Sequence, residues 1–127
     1  MLKFLIADDH EIVRIGLRQI LLEGFPDAHI DEATDTDSLI KKAKENNWSA
    51  VISDFAMPGG GAVVALQKIR EFSPDLPVLI VSIHPEEEYA NHLMRAGANG
   101  FLNKNIAYDE LVAAVKHILS GKKYINN

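Results

Sequence analysis

The chain has no cysteine among its 127 residues, so neither a disulfide framework nor a thiolate metal site can form. It also lacks any apolar run approaching the roughly 20 residues that a membrane-spanning helix needs. Its first residues form a short apolar run, unlike the charged start and longer apolar segment of a signal peptide. These absences fit the reducing cytoplasm. We therefore predict a cytoplasmic location and no membrane partner.

Basic charge is scarce as well. Lys and Arg total 13 against 18 Asp and Glu, which gives a formal net charge of −5. Because phosphate contacts require a basic surface, this balance argues against direct binding of nucleic acid by this chain. With 127 residues, 47% of them hydrophobic, the sequence has the size and composition of one globular domain.

Apolar segments of strand length alternate with amphipathic segments of helix length along the whole chain. The predicted strands are 3–7, 28–33, 49–54, 77–82 and 100–103. The predicted helices are 11–22, 36–46, one after the PGGG turn at 58–61, one from Pro85 to Gly97, and 107–120. The alternation predicts an α/β fold, a parallel sheet with helices on both faces and right-handed crossovers.

Polar residues lie at the carboxyl ends of these strands, where such sheets bind ligands. They are Asp8, Asp9, Asp54, Ser82 and Lys104. Taken singly, each has a structural explanation, such as a helix N-cap for the aspartate pair. Taken together they favour a site, because converging carboxylates repel one another unless a cation lies among them, and oxygen ligands suit Mg²⁺. Asp54 could then be the nucleophile for a phosphoryl group whose oxygens Lys104 and Ser82 contact.

The motifs IADDH, ISDFAMPGGG, VLIVSIH and GANGFLNK occur in this order. In them the chain resembles, over essentially all of its length, the receiver domain of two-component response regulators. IADDHEIVRIGL and GANGFLNK resemble the LuxR/NarL-type subfamily in particular. The resemblance implies a flavodoxin-like (βα)5 sandwich with a five-stranded parallel sheet in the order 2-1-3-4-5. It also implies a signalling domain that is no enzyme beyond its own aspartyl phosphorylation and dephosphorylation.

The same resemblance assigns roles around the acidic pocket. Asp54 would accept a phosphoryl group from the phosphohistidine of a sensor histidine kinase. Asp9 would ligate Mg²⁺ directly, Asp8 directly or through water, and the backbone carbonyl of Ala56 would be a further ligand. Lys104 would neutralise a phosphoryl oxygen.

A second group of residues concerns the switch and the pocket mouth. The resemblance implies that Ser82 moves toward the phosphoryl group and that Phe101 turns inward with it, although Phe101 lacks the hydroxyl of the commoner tyrosine. Ile83 stands where the family usually has a small residue, and could crowd the pocket. Asn105 replaces a proline common in other receivers. We expect His84 near the pocket mouth, where it could influence hydrolysis of the acyl phosphate. The remaining histidines, at 10, 29, 92 and 117, show no ligand spacing and are expected on the surface or in the core.

Two other classes of protein share part of this pattern. A haloacid-dehalogenase-type phosphatase also forms an aspartyl phosphate, but its DxDx[TV] motif would follow the first strand, where this chain reads DDHEI. A flavodoxin-like FMN carrier would have a Ser/Thr-rich phosphate loop where this chain is acidic. The glycines at 59–61 lack the GxxxxGK[ST] context of a phosphate-binding loop, so we predict a turn there.

LuxR/NarL-type resemblance also implies a C-terminal helix-turn-helix domain. We expect the receiver at residues 1–121 and the start of a linker at 122–127, with DNA bound only through that further domain. Phosphorylation would favour a homodimer, through either the first and last helices or the fourth helix and fifth strand. A stand-alone receiver or a phosphate-independent interaction module is the alternative.

Overall fold

The structure is a computed structural model that describes residues 1–82, 87–103 and 107–126, with the backbone alone for 87–89, 107–109 and 126. Its strands are β1 (Lys3–Ala7), β2 (His29–Ala33), β3 (Ala50–Asp54), β4 (Val78–Ser82), β5 (Gly100–Asn103) and β6 (Tyr124–Asn126). Its helices are α1 (Glu11–Gly24), α2 (Thr36–Glu45), α3 (Gly61–Phe72), α4 (Glu87–Arg95) and α5 (Ala107–Leu119).

The strands form one sheet in the order β2-β1-β3-β4-β5-β6, and every neighbouring pair is parallel. The predicted α/β class and the 2-1-3-4-5 order of the first five strands are confirmed. The predicted count of five strands was wrong, because β6 adds a sixth strand beside β5.

The sixth strand escaped prediction because it is short and has little hydrophobic pattern. It spans three residues after two lysines, and its Ile125 is half exposed. The backbone N–H of Tyr124 donates to the carbonyl of Asn99, its hydroxyl hydrogen-bonds Glu110, and its ring meets that of His117 edge-on. These tertiary contacts, rather than the local sequence, hold the strand at the sheet edge. The expectation that 122–127 begins a linker stays a prediction.

Side chains alternate between two cores on the two faces of the sheet, as the pleat of a strand requires. In β1, Phe4 and Ile6 pack with residues of α1 and α5, whereas Leu5 and Ala7 pack with residues of α2, α3 and α4. All four are fully buried, which is why the central strands read as continuous apolar runs. In the part of the chain that the structure describes, no helix has the length and apolarity to cross a bilayer.

The turn from β3 into α3 requires glycine at its last position. Gly61 has φ +69°, and a Cβ on it would lie 2.5 Å from the carbonyl oxygen of Phe55. The Gly61 N–H donates to the hydroxyl of Thr36 at 2.8 Å, which joins this turn to the start of α2. The predicted turn at 58–61 is thereby confirmed, and it fixes the backbone that follows Asp54.

Candidate functional site

The register of the sheet brings the predicted polar residues to one edge. Ala7 lies opposite Ser53, so Asp8, which follows β1, and Asp54, which ends β3, lie side by side at the edge of the sheet. Asp54 lies opposite Val81, the residue before Ser82. The carboxyl ends of β1, β3 and β4 therefore place Asp8, Asp54 and Ser82 together.

Four residues at this edge form a compact group with the spacing of a metal site. Each of Asp8, Asp9, His10 and Asp54 offers one ligand atom, and these atoms all lie within 4.8 Å of one another. Asp8 and Asp54 are buried, with 1% and 8% of their surface exposed, whereas Asp9 and His10 face solvent. The group thus has a buried floor and an open mouth.

His10 is a member of this group that the sequence analysis missed. Its Nδ1 lies 3.0 Å from Oδ1 of Asp8 and 3.1 Å from Oδ1 of Asp9, and its backbone N–H donates to the same Asp8 oxygen at 2.8 Å. It is exposed, as expected for a surface histidine, but its ring bridges the two carboxylates. The sequence feature that could have identified His10 is its position directly after the aspartate pair, at a strand-to-helix turn. A search by ligand spacing alone does not detect that feature.

The backbone of Asp8 is held on both sides. Its N–H donates to the carbonyl of Ala33 at 3.1 Å, at the end of β2. Its own carbonyl accepts a hydrogen bond of 2.8 Å from Nη1 of Arg14, in the first turn of α1. The N–H and the carbonyl of Asp8 are therefore both satisfied by neighbouring elements, which fixes the backbone that carries its carboxylate.

The segment after Asp54 is anchored in a similar way. The Asp54 carbonyl accepts from the Ser53 hydroxyl at 2.9 Å. The Phe55 N–H donates to the carbonyl of Val81, and the Phe55 carbonyl accepts from the N–H of Ala62. Ala56 is exposed and lies between anchored Phe55 and buried Met57. Its predicted role as a carbonyl ligand stays a prediction.

The remaining described residues lie on β4 and β5. Ser82 is 1% exposed and pairs in register with Asn103, a buried polar residue that the sequence analysis did not single out. Phe101 is fully buried and belongs to the core on the α2–α4 side of the sheet. Its side chain is thus inside in this conformation, and its role as a switch stays a prediction.

Three predicted site residues, Ile83, His84 and Lys104, lie outside the described residues, as does Asn105. Among the described residues every buried side-chain nitrogen and oxygen has a hydrogen-bond partner. The Asp8, Asp9 and Asp54 carboxylates, with ligand atoms this close, are the oxygen donors that a hard divalent cation such as Mg²⁺ prefers. The donor set therefore fits that ion.

Together these features define a class: a flavodoxin-like parallel α/β domain with an acidic pocket at the carboxyl edge of its sheet. The family model described as the response regulator receiver domain matches residues 4–116. The chain belongs to this family.

Individual proteins agree with the assignment. The response regulator UvrY of Escherichia coli K12 is 34% identical over 125 residues, which cover 98% of this chain and 57% of UvrY. A LuxR-family two-component response regulator from Aurantimonas sp. SI85-9A1 is 32% identical, with a TM-score of 0.89, over 96% of this chain and 87% of that one. These relatives confirm the resemblance to the LuxR/NarL type. The chain spans a little over half the length of UvrY.

A third similarity concerns an isolated receiver. The REC domain of RcsB from Salmonella enterica serovar Typhimurium, solved in the presence of the phosphomimetic BeF₃⁻, is 25% identical with a TM-score of 0.88. The match covers 99% of this chain and 94% of that domain. The whole described fold is thus that of a receiver domain.

Proposed function

We propose that this receiver domain is a phosphorylation-controlled switch in which Asp54 accepts a phosphoryl group from a sensor histidine kinase. The observation that carries the proposal is the convergence of Asp8, Asp9 and Asp54 within 4.8 Å at one sheet edge, beside the buried Ser82. Three carboxylates this close together repel one another unless a cation binds among them, which supports a site for a cation and a phosphoryl group.

In the proposed reaction a carboxylate oxygen of Asp54 attacks the phosphorus of phosphohistidine. The new oxygen–phosphorus bond forms as the nitrogen–phosphorus bond breaks, and the imidazole leaves with the electron pair. The Ser82 hydroxyl would donate to a phosphoryl oxygen, and Lys104 would neutralise another. The protein mainly positions these groups, which is most of what phosphoryl transfer requires. The domain would act only on itself and is otherwise not an enzyme.

Asp9, Asp8 and Asp54 would hold Mg²⁺, with the Ala56 carbonyl as a further ligand. When bound, Mg²⁺ would neutralise charge on the phosphoryl oxygens and on the carboxylates. Phosphorylation would then shift an equilibrium between two surface conformations, with Ser82 and Phe101 as the residues that change.

The output would belong to a longer protein in the cytoplasm. This proposal rests on the LuxR/NarL-type family and on the coverage of only 57% of UvrY. A helix-turn-helix domain after a linker at 122–127 would contact DNA, and phosphorylation would favour a homodimer. A phosphate-independent interaction module is the second candidate, since Ile83 stands where the family usually has a small residue.

The test is incubation with acetyl phosphate, with and without Mg²⁺, followed by intact mass measurement. Wild type should gain one phosphoryl group only with Mg²⁺. Asp54→Asn should gain none, because an amide is not a nucleophile for this transfer. Asp37→Asn, which changes an exposed aspartate in the first turn of α2, is the matched control and should behave as wild type.

Two results would contradict the proposal. Phosphoryl gain in Asp54→Asn equal to that of wild type would place the acceptor elsewhere. Wild type that gains nothing from acetyl phosphate or from a histidine kinase, and binds no Mg²⁺, would favour the phosphate-independent module.

A further inference from the structure

Arg14 makes a bridge between the acidic pocket and the second strand. Its Nη1 donates to the backbone carbonyl of Asp8 at 2.8 Å, and its Nε donates to Oε1 of Glu32, in β2, also at 2.8 Å. The Arg14 side chain is only 13% exposed. One planar guanidinium thus fixes the turn that carries Asp8 and Asp9 against the neighbouring strand.

A rigid, planar guanidinium is suited to holding two acceptors on different elements. The guanidinium presents several N–H donors in one plane, so two acceptors in different directions can be held at once. A lysine ammonium is a point charge on a flexible stem and does not reproduce that geometry. The Asp8 N–H is meanwhile fixed by the carbonyl of Ala33, the residue after Glu32. Asp8 is therefore tied to the end of β2 both directly and through Arg14.

The positive charge of Arg14 could weaken Mg²⁺ binding, since a cation near the pocket would repel that ion. Glu32 offsets that effect. Burial raises the pKa of Glu32, but its hydrogen bonds and attraction to Arg18 and Arg14 outweigh burial, and the pKa lies below its ordinary value. Glu32 is thus held as a carboxylate, and its charge offsets part of the positive charge that Arg14 and Arg18 carry. What Arg14 contributes to the pocket is chiefly position.

We infer that Arg14 is a positioning residue for the cation site, holding the backbone of Asp8 so that the Asp8 and Asp9 carboxylates stay directed at the sheet edge. The inference rests on the proposed function, because it requires that the acidic group binds Mg²⁺. Partners that orient a metal ligand from outside the ligand set typically change metal affinity by about 10- to 100-fold when mutated.

Arg18 provides a matched control on the same helix. Its Nε and Nη2 donate to Oε2 of Glu32 at 2.9 and 2.6 Å, and Nη2 also reaches the carbonyl of Ile30. Arg18 therefore shares the carboxylate with Arg14, although its contacts go to β2 and not to Asp8. Substituting lysine at either position keeps the net charge and replaces one planar guanidinium with an ammonium group.

The experiment measures the dissociation constant for Mg²⁺ by calorimetry in wild type, Arg14→Lys and Arg18→Lys. We expect Arg14→Lys to bind about tenfold more weakly. Arg18→Lys should stay within about twofold of wild type, because its ion pair is partly exposed. Amide NMR shifts of Asp8, Asp9 and His10 without Mg²⁺ give a second readout, and should move in Arg14→Lys far more than in Arg18→Lys. Thermal unfolding without Mg²⁺ reports the purely structural part of each change.

The outcomes separate the inference from the proposed function. Equal affinities in wild type and Arg14→Lys, or equal losses in both lysine variants, would overturn the positioning role and leave the Mg²⁺ site in place. Wild type that binds no Mg²⁺ would overturn the site itself, and the role of Arg14 with it.

Discussion

Two arginines, one near each end of the sheet, donate to backbone carbonyls but differ in what surrounds them. Near the carboxyl end, Arg14 contacts the Asp8 carbonyl and the Glu32 carboxylate. At the amino end, Arg70 of α3 donates to the Gly97 carbonyl, at 3.0 Å from Nε and 2.6 Å from Nη2, and to Oδ1 of Asn99 at 2.9 Å.

The difference in partners separates two uses of the same side chain. Arg14 has a carboxylate partner that offsets part of its charge beside the proposed cation site. Arg70 has neutral oxygen partners, and burial lowers its pKa, which the charge of Asp75 partly offsets. Asn99 also accepts from the N–H of Val78, at the start of β4. Arg70 therefore ties α3 to the loop before β5. The contacts at the amino end are structural, whereas those at the carboxyl end surround the proposed phosphorylation site. Changes at the two ends should separate these properties.

The largest effect on stability should come from the core near the amino end. Phe4 is fully buried and its ring meets that of Phe25 edge-on, with centroids 5.1 Å apart. Phe4→Ala should lower the free energy of unfolding by about 3–5 kcal/mol through lost burial and the cavity left behind. Chemical denaturation measures the loss. Saturating Mg²⁺ should raise the stability of this variant by the same increment as in wild type, and an increment that disappears would contradict the separation of the two ends.

The converse change is Asp9→Asn at the carboxyl end. Binding to the folded state alone stabilises a protein by about 2.7 kcal/mol when the ligand is at one hundred times its dissociation constant. Wild type should show that gain with Mg²⁺, and Asp9→Asn should lose most of it, because the variant lacks a carboxylate that we propose as a ligand of the cation. Thermal unfolding with and without Mg²⁺ gives the measurement. Asp37→Asn serves as the control, and a full Mg²⁺ gain in Asp9→Asn would remove Asp9 from the ligand set.

The same contrast explains how far the sequence could be read. The strands β1, β3, β4 and β5 were predictable because their apolar runs are buried on both faces, whereas β2 has a weaker pattern with an exposed His29. The carboxyl ends of parallel strands must meet at one edge. Asp8, Asp9, Asp54 and Ser82 were therefore predictable as a group. The strand β6 was not, because tertiary contacts of Tyr124 hold it in place.

The contacts that support the site could not be predicted from the sequence either. Arg14 and Glu32 are 18 positions apart, on α1 and β2, and they meet only in the folded chain. His10 was visible next to the aspartates, but its approach to both depends on the path of the turn into α1. Residues that orient a site come from several elements, so hydrophobic pattern and motif spacing do not reveal them.

A smaller effect is expected for Arg70→Met. The change removes the donors to the carbonyls of Gly97 and Ser73 and to Asn99. Since Gly97 is half-buried and water can replace part of the loss, the free energy of unfolding should fall by about 1–2 kcal/mol. Arg95→Met, at an exposed arginine of α4, is the control for lost charge. A change in Mg²⁺ affinity in Arg70→Met would show that the two ends are coupled, against our expectation.

The smallest effect should appear in the pH dependence of Glu32→Gln. The folded pKa of Glu32 lies below its ordinary value of 4.5, so its charge stabilises the fold fully above that pH. That contribution is lost as the pH falls through the folded pKa, because the folded state then takes up a proton that the unfolded state already holds. The wild-type advantage over Glu32→Gln, on the order of 1 kcal/mol for a partly exposed pair, should therefore shrink as the pH falls below the ordinary value of 4.5. Glu23→Gln, at an exposed glutamate of α1, controls for the loss of one negative charge. An advantage that grew on acidification would reverse the sign, and would mean that Arg14 and Arg18 do not hold Glu32 as a carboxylate.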